Sequence, residues 1–146
     1  MTSSLTKLPQ PVAQTLERWH QMIQNKDFSA LQTIVHPDAV FRSPMAISPY
    51  APASALILAL STVIQVLEDF DYHRQLSTDD GLSVVLEFSA RVGDKDLKGI
   101  DLIRFNAQGQ IVEFEVMVRP LSGLQALGAE MGARLGDKLP AFKRKA

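Results

Sequence analysis

The sequence predicts an α+β domain in which three N-terminal helices pack on the concave face of a cone-shaped, curved antiparallel sheet, with one more helix at the C-terminal end. Three observations carry that reading. Apolar residues recur at steps of three or four through much of the stretch from Pro11 to Leu67, the period of a helix with one buried face. From Leu82 the period changes to two, as in a strand with one side on a core. After Pro120 the helical spacing returns. Helices first and strands afterwards put the helices in a layer on one side of the sheet, and the concavity they cover is a natural ligand cavity.

Val12, Leu16, Trp19 and Ile23 stripe the first helix, which Pro11 suits at its first turn and which ends near Asn25. Asp27 is the candidate cap of a second, shorter helix whose stripe is Phe28, Leu31, Ile34 and Val35 and which Pro37 stops. The strand AVFRS, residues 39–43, follows. PMAISPYAPAS, residues 44–54, is broken by Pro44, Pro49 and Pro52; it is a loop, a candidate lid, and leads to Ser54 as the cap of the third helix. That helix carries Leu56, Leu60, Val63, Ile64 and Leu67 on one side and Ile57, Leu58 and Val66 on others, so both of its faces need cover. DYHRQLS is the next strand, residues 71–77. VGDKDLKG and NAQGQ then supply glycine-containing turns, so that residues 82–119 form a meander of three long strands. Leu121, Leu124, Leu127, Met131 and Leu135 stripe the last helix, which ends near Gly136.

The 146 residues make one domain, read as 11–136, behind a lead-in at 1–10 and ahead of a basic tail at 137–146. Fifteen basic and sixteen acidic residues leave a net charge of -1, which gives no general attraction to nucleic acid or to an anionic membrane. The absence of cysteine excludes disulfides, thiolate catalysis and thiolate metal sites. The N-terminus lacks the apolar run of a signal peptide, and the most apolar window, Ala55 to Leu67, is shorter than the roughly 20 residues a bilayer span requires. A cytoplasmic protein is expected. The three histidines show no spacing that marks a metal site, and no cofactor is expected.

One residue breaks the pattern. Asp101 lies in a strand with Ile100, Leu102, Ile103 and Phe105, where a carboxylate is disfavoured by strand propensity and costly if its face is buried. It is the candidate catalytic residue, a desolvated acid at a pocket floor with its pKa raised; alternatively it is structurally paired. Arg104 lies three residues along and points to the opposite face, leaving Trp19, His20 or His36 to reach Asp101 from the helices. His20 and His36 are candidate proton shuttles if they border the cavity. Their structural alternatives are a position well round the helix from Trp19 for His20 and a helix end for His36. A triad of Ser43, His36 and Asp101 lacks a nucleophile elbow or oxyanion signature. Trp19, Phe41, Ser43, Met45, Phe88, Ile103, Phe114 and Val118 are the expected cavity lining, and the aromatic and aliphatic members also read as plain core.

Two stretches, ERWHQMIQNKDFSALQTIVHPDAVFRSP and GIDLIRFNAQGQIVEFEV, resemble the helix-helix-strand opening and the late hairpin of the nuclear-transport-factor-2-like superfamily, over about residues 11–120. That fold is shared by SnoaL-type polyketide cyclases, ketosteroid isomerase and limonene epoxide hydrolase. FRSP together with VMVRPLSGLQAL is similar to uncharacterised bacterial members. The resemblance places Asp101 where ketosteroid isomerase keeps a protonated aspartic acid as an oxyanion donor. It implies a small apolar, carbonyl-bearing ligand and cyclase-, isomerase- or dehydratase-like chemistry, the alternative being a non-catalytic binding or dimerisation module. Steroid isomerisation itself is rejected, and the chain is not expected to be a functional ketosteroid isomerase. Trp19 stands at the tyrosine position of helix one, and Ser43 at that of the general base. Gly99 stands where an epoxide hydrolase of this fold has arginine. Ile100, Leu102, Val85 and Met117 on the outer sheet face, among Glu87, Arg91, Arg104 and Glu115, predict a homodimer through that face. Arg119, just before Pro120, is a candidate to bind a ligand carboxylate, but alternation from an inward Val118 turns it outward, where pairing with Glu113 or Glu115 on a neighbouring strand or subunit is favoured.

Overall fold

The computed structural model describes residues 8–139. The expected lead-in and basic tail therefore lie largely outside the described residues. The first helix, α1 (Gln10–Asn25), buries Val12, Thr15, Leu16, Trp19 and Met22 and has Pro11 in its first turn. Lys26 closes it in the left-handed conformation, and Asp27 N–H returns to the Met22 carbonyl at 3.0 Å. Thr15 Oγ1 donates to the Gly109 carbonyl at 2.6 Å, tying α1 to a distant turn of the sheet.

The second helix of the sequence reading is corrected to a single 3-10 turn, Leu31–Thr33, after which strand β1 (Val35–Arg42) begins. Asp27 does cap, but it caps a turn: its carboxylate accepts the Ser29 N–H at 3.0 Å. Thr33, Ile34 and Val35 are β-branched, and Pro37 drives the residue before it toward extended backbone, so this stretch gains more by joining a sheet. Helix α2 (Ala53–Val66) starts one residue before the expected cap Ser54 and has no side-chain cap. It buries Ala55, Leu56, Ala59, Leu60 and Val66 and leaves Ile57, Leu58, Val63 and Ile64 partly covered. The preceding loop is pinned, because Phe41 and Tyr50 exchange two backbone hydrogen bonds of 2.9 Å.

Strands β2 (Glu68–Ser77), β3 (Ser83–Val92), β4 (Lys95–Phe105) and β5 (Ile111–Arg119) follow, then helix α3 (Leu121–Leu135), which Gly136 ends. The sheet order is β1-β5-β4-β3-β2. Neighbours from β2 to β5 are antiparallel as expected, whereas β1 joins β5 in parallel, which makes the sheet mixed. The two helices before β2, with α3, cover one face. On that face α1 and α2 pack with Val84, Leu86, Ile103 and Phe105, while Leu127 of α3 packs with Phe88, Ala90, Val92 and Leu97. The α+β cone of the sequence reading is the observed fold, with two helices and a turn in place of three helices ahead of the long strands.

Candidate functional site

The alternation of β4 points Leu97, Asp101, Ile103 and Phe105 toward the helices, and Lys98, Ile100, Leu102 and Arg104 away. Asp101 is 6 % exposed and lies between Leu86 on β3 and Val116 on β5 in the register. Burial among these neighbours disfavours its charge and pushes its pKa up to about 7, against the opposing pull of a hydrogen bond from Tyr72. Tyr72 Oη donates to Asp101 Oδ2 at 2.5 Å, and Trp19 Nε1 donates to Tyr72 Oη at 3.0 Å. Burial first, and then the Asp101 charge, hold the Tyr72 phenol well above its ordinary range. Trp19 is itself fixed between Phe28 and Phe114, with ring centroids 5.1 and 5.2 Å away. The result is a chain of three side chains from α1, β2 and β4.

The interior around that chain is a seam. Apolar residues fall into two clusters, one under α1 and α2 and one under α3, and the side chains that touch both are Val63, Tyr72, Val116 and Met131. All four are only partly buried. Tyr72 also lines a cleft of about 520 Å³ with His20, Ile23, Ile64, Leu67 and Phe70. Phe70 and His20 set their rings edge-on to Tyr72, at 4.8 and 5.4 Å. Burial lowers the His20 pKa, partly offset by Gln75, and so favours the neutral imidazole beside the phenol. Val116 reaches a second groove of about 450 Å³, near Ser43 and Met45. Asp101 thus sits behind Tyr72, one side chain back from open space.

The expected site residues separate accordingly. Trp19, His20 and Asp101 converge on Tyr72. Phe88, Ile103 and Phe114 are sealed, at 1 % exposure or less, and Phe41 packs on Tyr50. Ser43, Met45 and Val118 lie in the second groove; Met45 is 54 % exposed, which corrects its reading as an inward-facing wall. Its side chain lies against Gly128 of α3, close enough to hold the loop to that helix instead of filling the cavity. Ser43 Oγ accepts the Met45 N–H at 3.0 Å. His36 belongs to β1 and not to a helix end, because Pro37 continues the strand; its Nδ1 accepts the Asp38 N–H at 3.0 Å. Gly99 has no room for a side chain, since a Cβ there would run into the Met117 carbonyl oxygen and stand 2.6 Å from Phe88 Cζ. Tyr72 is the residue the sequence reading missed. Among the described residues no group of three or more His, Asp or Glu is placed to hold a metal ion, and no helix is long and apolar enough to cross a membrane.

An α+β fold with helices on one face of a curved five-stranded sheet defines the class, and the comparisons agree. The SnoaL-like domain model matches residues 16–114, and the chain belongs to that family. The crystal structure of a steroid delta-isomerase from Pseudomonas aeruginosa is 60% identical, covering 92% of this chain and 98% of that one, with a TM-score of 0.88. An uncharacterised protein with a cystatin-like fold from Silicibacter pomeroyi DSS-3 is 29% identical over 91% of this chain and 94% of that one, with a TM-score of 0.81. An NTF2-like protein of unknown function from Mesorhizobium loti, 18% identical over 82% of this chain and all of that one, shares the fold at a TM-score of 0.69. No curated protein matches.

Proposed function

We propose that this SnoaL-like protein takes a small apolar, carbonyl-bearing molecule into the seam and polarises its carbonyl through Tyr72, with Asp101 as the acid behind it. The observation that carries this reading is the buried Asp101 carboxyl hydrogen-bonded to Tyr72 at the edge of a cleft. When Asp101 is ionised it accepts a hydrogen bond from the Tyr72 O–H, and the phenol has no proton left to offer a ligand. When Asp101 is protonated it can donate to the phenol oxygen, as Trp19 does, and the Tyr72 O–H is free to turn toward a ligand. Oxygen that receives two donors is in turn a stronger donor. Neutral His20, edge-on to the same ring, is a proton acceptor within the cleft. Such an arrangement suits enolisation, cyclisation or dehydration beside a carbonyl. The name of the Pseudomonas aeruginosa relative favours isomerase-like chemistry, while Ser43, bonded to a neighbouring amide, supplies no carboxylate base for removing a steroid proton.

A second reading, a non-catalytic binding module of the same fold, is favoured by the tight burial of Phe88, Ile103 and Phe114. A titration of the labelled chain with an aromatic ketone such as acetophenone separates the two. Saturable NMR shifts at Tyr72, Asp101, Val116 and Met131, weaker at pH 8.5 than at pH 6 and lost in Tyr72→Phe, are the expected result. Shifts that ignore pH and survive Tyr72→Phe would leave binding without the acid, and no shifts at all would remove the ligand.

A further inference from the structure

Strand β2 is an edge strand, and its register with β3 slips twice. Glu68 pairs with Arg91 but Asp71 with Ser89, and Tyr72 pairs with Phe88 but Gln75 with Leu86, so each time two β2 residues stand opposite one of β3. Such bulges re-aim side chains. The second decides where Gln75 points. Regular alternation from an inward Tyr72 would turn His73 out, Arg74 in and Gln75 out. Instead His73 and Arg74 both reach the outer side chains of β3, His73 Nε2 lying 2.7 Å from Ser89 Oγ and Arg74 donating twice to Glu87 at 2.8 Å. Gln75 is thereby returned to the helix side, opposite Leu86, whose partner on β4 is Asp101.

There it meets His20 of α1. Burial pulls the His20 pKa down and a hydrogen bond with Gln75 works against it, the sign of an amide oxygen that accepts from the ring. The charged side chains that line the same cleft are Lys26, Asp69 and Asp71, and Asp69 is held by Arg91 at 2.9 Å. In a neutral imidazole one nitrogen carries the hydrogen, and the hydrogen-bond partners of the ring decide which. We propose that Gln75 is a positioning residue: its side-chain oxygen takes the His20 N–H and leaves the other ring nitrogen bare toward the cleft that His20 and Tyr72 line. This rests on the carbonyl chemistry proposed for the seam and supplies its base. His20 takes a proton from the carbon beside the ligand's carbonyl, the electron pair moves into an enolate held by the Tyr72 O–H, and in D2O the same nitrogen returns a deuteron. The substrate class narrows accordingly to enolisable carbonyl compounds, those with a removable proton on the adjacent carbon.

The test reads the imidazole nitrogen signals of the isotope-labelled full-length chain, without ligand, at pH 8.5, where the ring is neutral. His20 is expected to show one protonated and one bare nitrogen. Gln75→Leu is expected to shift the ratio of the two tautomers by about three- to tenfold, the scale of one net hydrogen bond, and to lower the pKa of the ring. Gln75→Glu keeps an acceptor in place and is expected to restore the native tautomer with a higher pKa. If Gln75→Leu fails to fold, Gln75→Ala carries the same expectation. Deuterium uptake by the methyl group of acetophenone reads the chemistry, and it is expected to fall in Gln75→Leu by the same factor and to recover in Gln75→Glu. No uptake above buffer with the native chain would overturn the carbonyl chemistry of the seam. Mixed tautomers in the native ring, or a ratio that Gln75→Leu leaves unchanged, would overturn the role of Gln75 whatever the uptake.

Discussion

Tyr72 opposes what burial does to Asp101. Burial raises the acid's pKa, and the hydrogen bond from Tyr72 favours the charged form, so the value of about 7 is a balance between the two. Tyr72→Phe removes that hydrogen bond and leaves the apolar surroundings. The pKa of Asp101 is expected to rise by about one unit or more, since a hydrogen bond to a charged group contributes about 1.5–3 kcal/mol. Carboxyl carbon NMR shifts across pH, assigned with Asp101→Asn, measure it. A fall toward the ordinary carboxylate range would mean that water replaces the phenol and that the site is wetter than its neighbours imply. At this scale the sequence revealed half the site. Asp101 stood out because a carboxylate among isoleucine and leucine needs an explanation. Tyr72 did not, since its bond to Asp101 joins residues 29 apart and crosses β3, and its register there shifts between Tyr72 and Gln75. A usable signal was present: Phe70 and Tyr72 share one face of a strand, and a phenol on a buried face needs a partner.

Among the elements, β4 depends most on a residue that lacks a side chain. Gly99 shares its face with Asp101, two residues on, and lies opposite Phe88 and Val118 in the register. The ring of Phe88 occupies the space a side chain would need, and the other obstacle is a backbone oxygen of β5. A ring can turn, whereas the Met117 carbonyl cannot withdraw without loosening the β4–β5 ladder. Gly99→Ala is therefore expected to destabilise the domain by about 2 kcal/mol, in the range of an overpacked core. Urea unfolding checks this, and a cost under about 0.5 kcal/mol would mean that the strands yield more easily than their register implies. The long strands and the final helix were legible because their periods are regular and their turns carry glycine. Residues 27–37 were not, because Phe28, Leu31, Ile34 and Val35 fit a helical stripe while the parallel partner that captures Val35 lies far along the chain in β5. Local spacing does not report a partner so distant.

For the whole molecule, two acids place opposite pH dependences in separate windows. A carboxyl whose folded pKa is raised binds its proton more tightly in the native state, so its contribution to stability is full below the unfolded pKa and is lost as pH rises through the folded value. For Asp101 that loss runs from about pH 4 to about pH 7 and amounts to about 4 kcal/mol, the free-energy equivalent of the distance between those two values. Glu87 behaves in reverse. Arg74 holds its pKa down to about 2, so its contribution is present above the unfolded value and disappears only in strong acid. Because the Arg74–Glu87 pair lies on the outer face with its arginine in solvent, its effect is screened by salt, whereas that of Asp101 is not. Unfolding free energies of the native chain and Asp101→Asn, measured by urea at several pH values and two salt concentrations, separate the two. The difference between the proteins is expected to move in favour of the asparagine variant between pH 4 and pH 7, to level off above that, and to be the same at low and high salt. A flat difference would mean that Asp101 ionises as easily in the folded chain as in the unfolded one, and the proton the proposed chemistry draws on would then be absent at neutral pH.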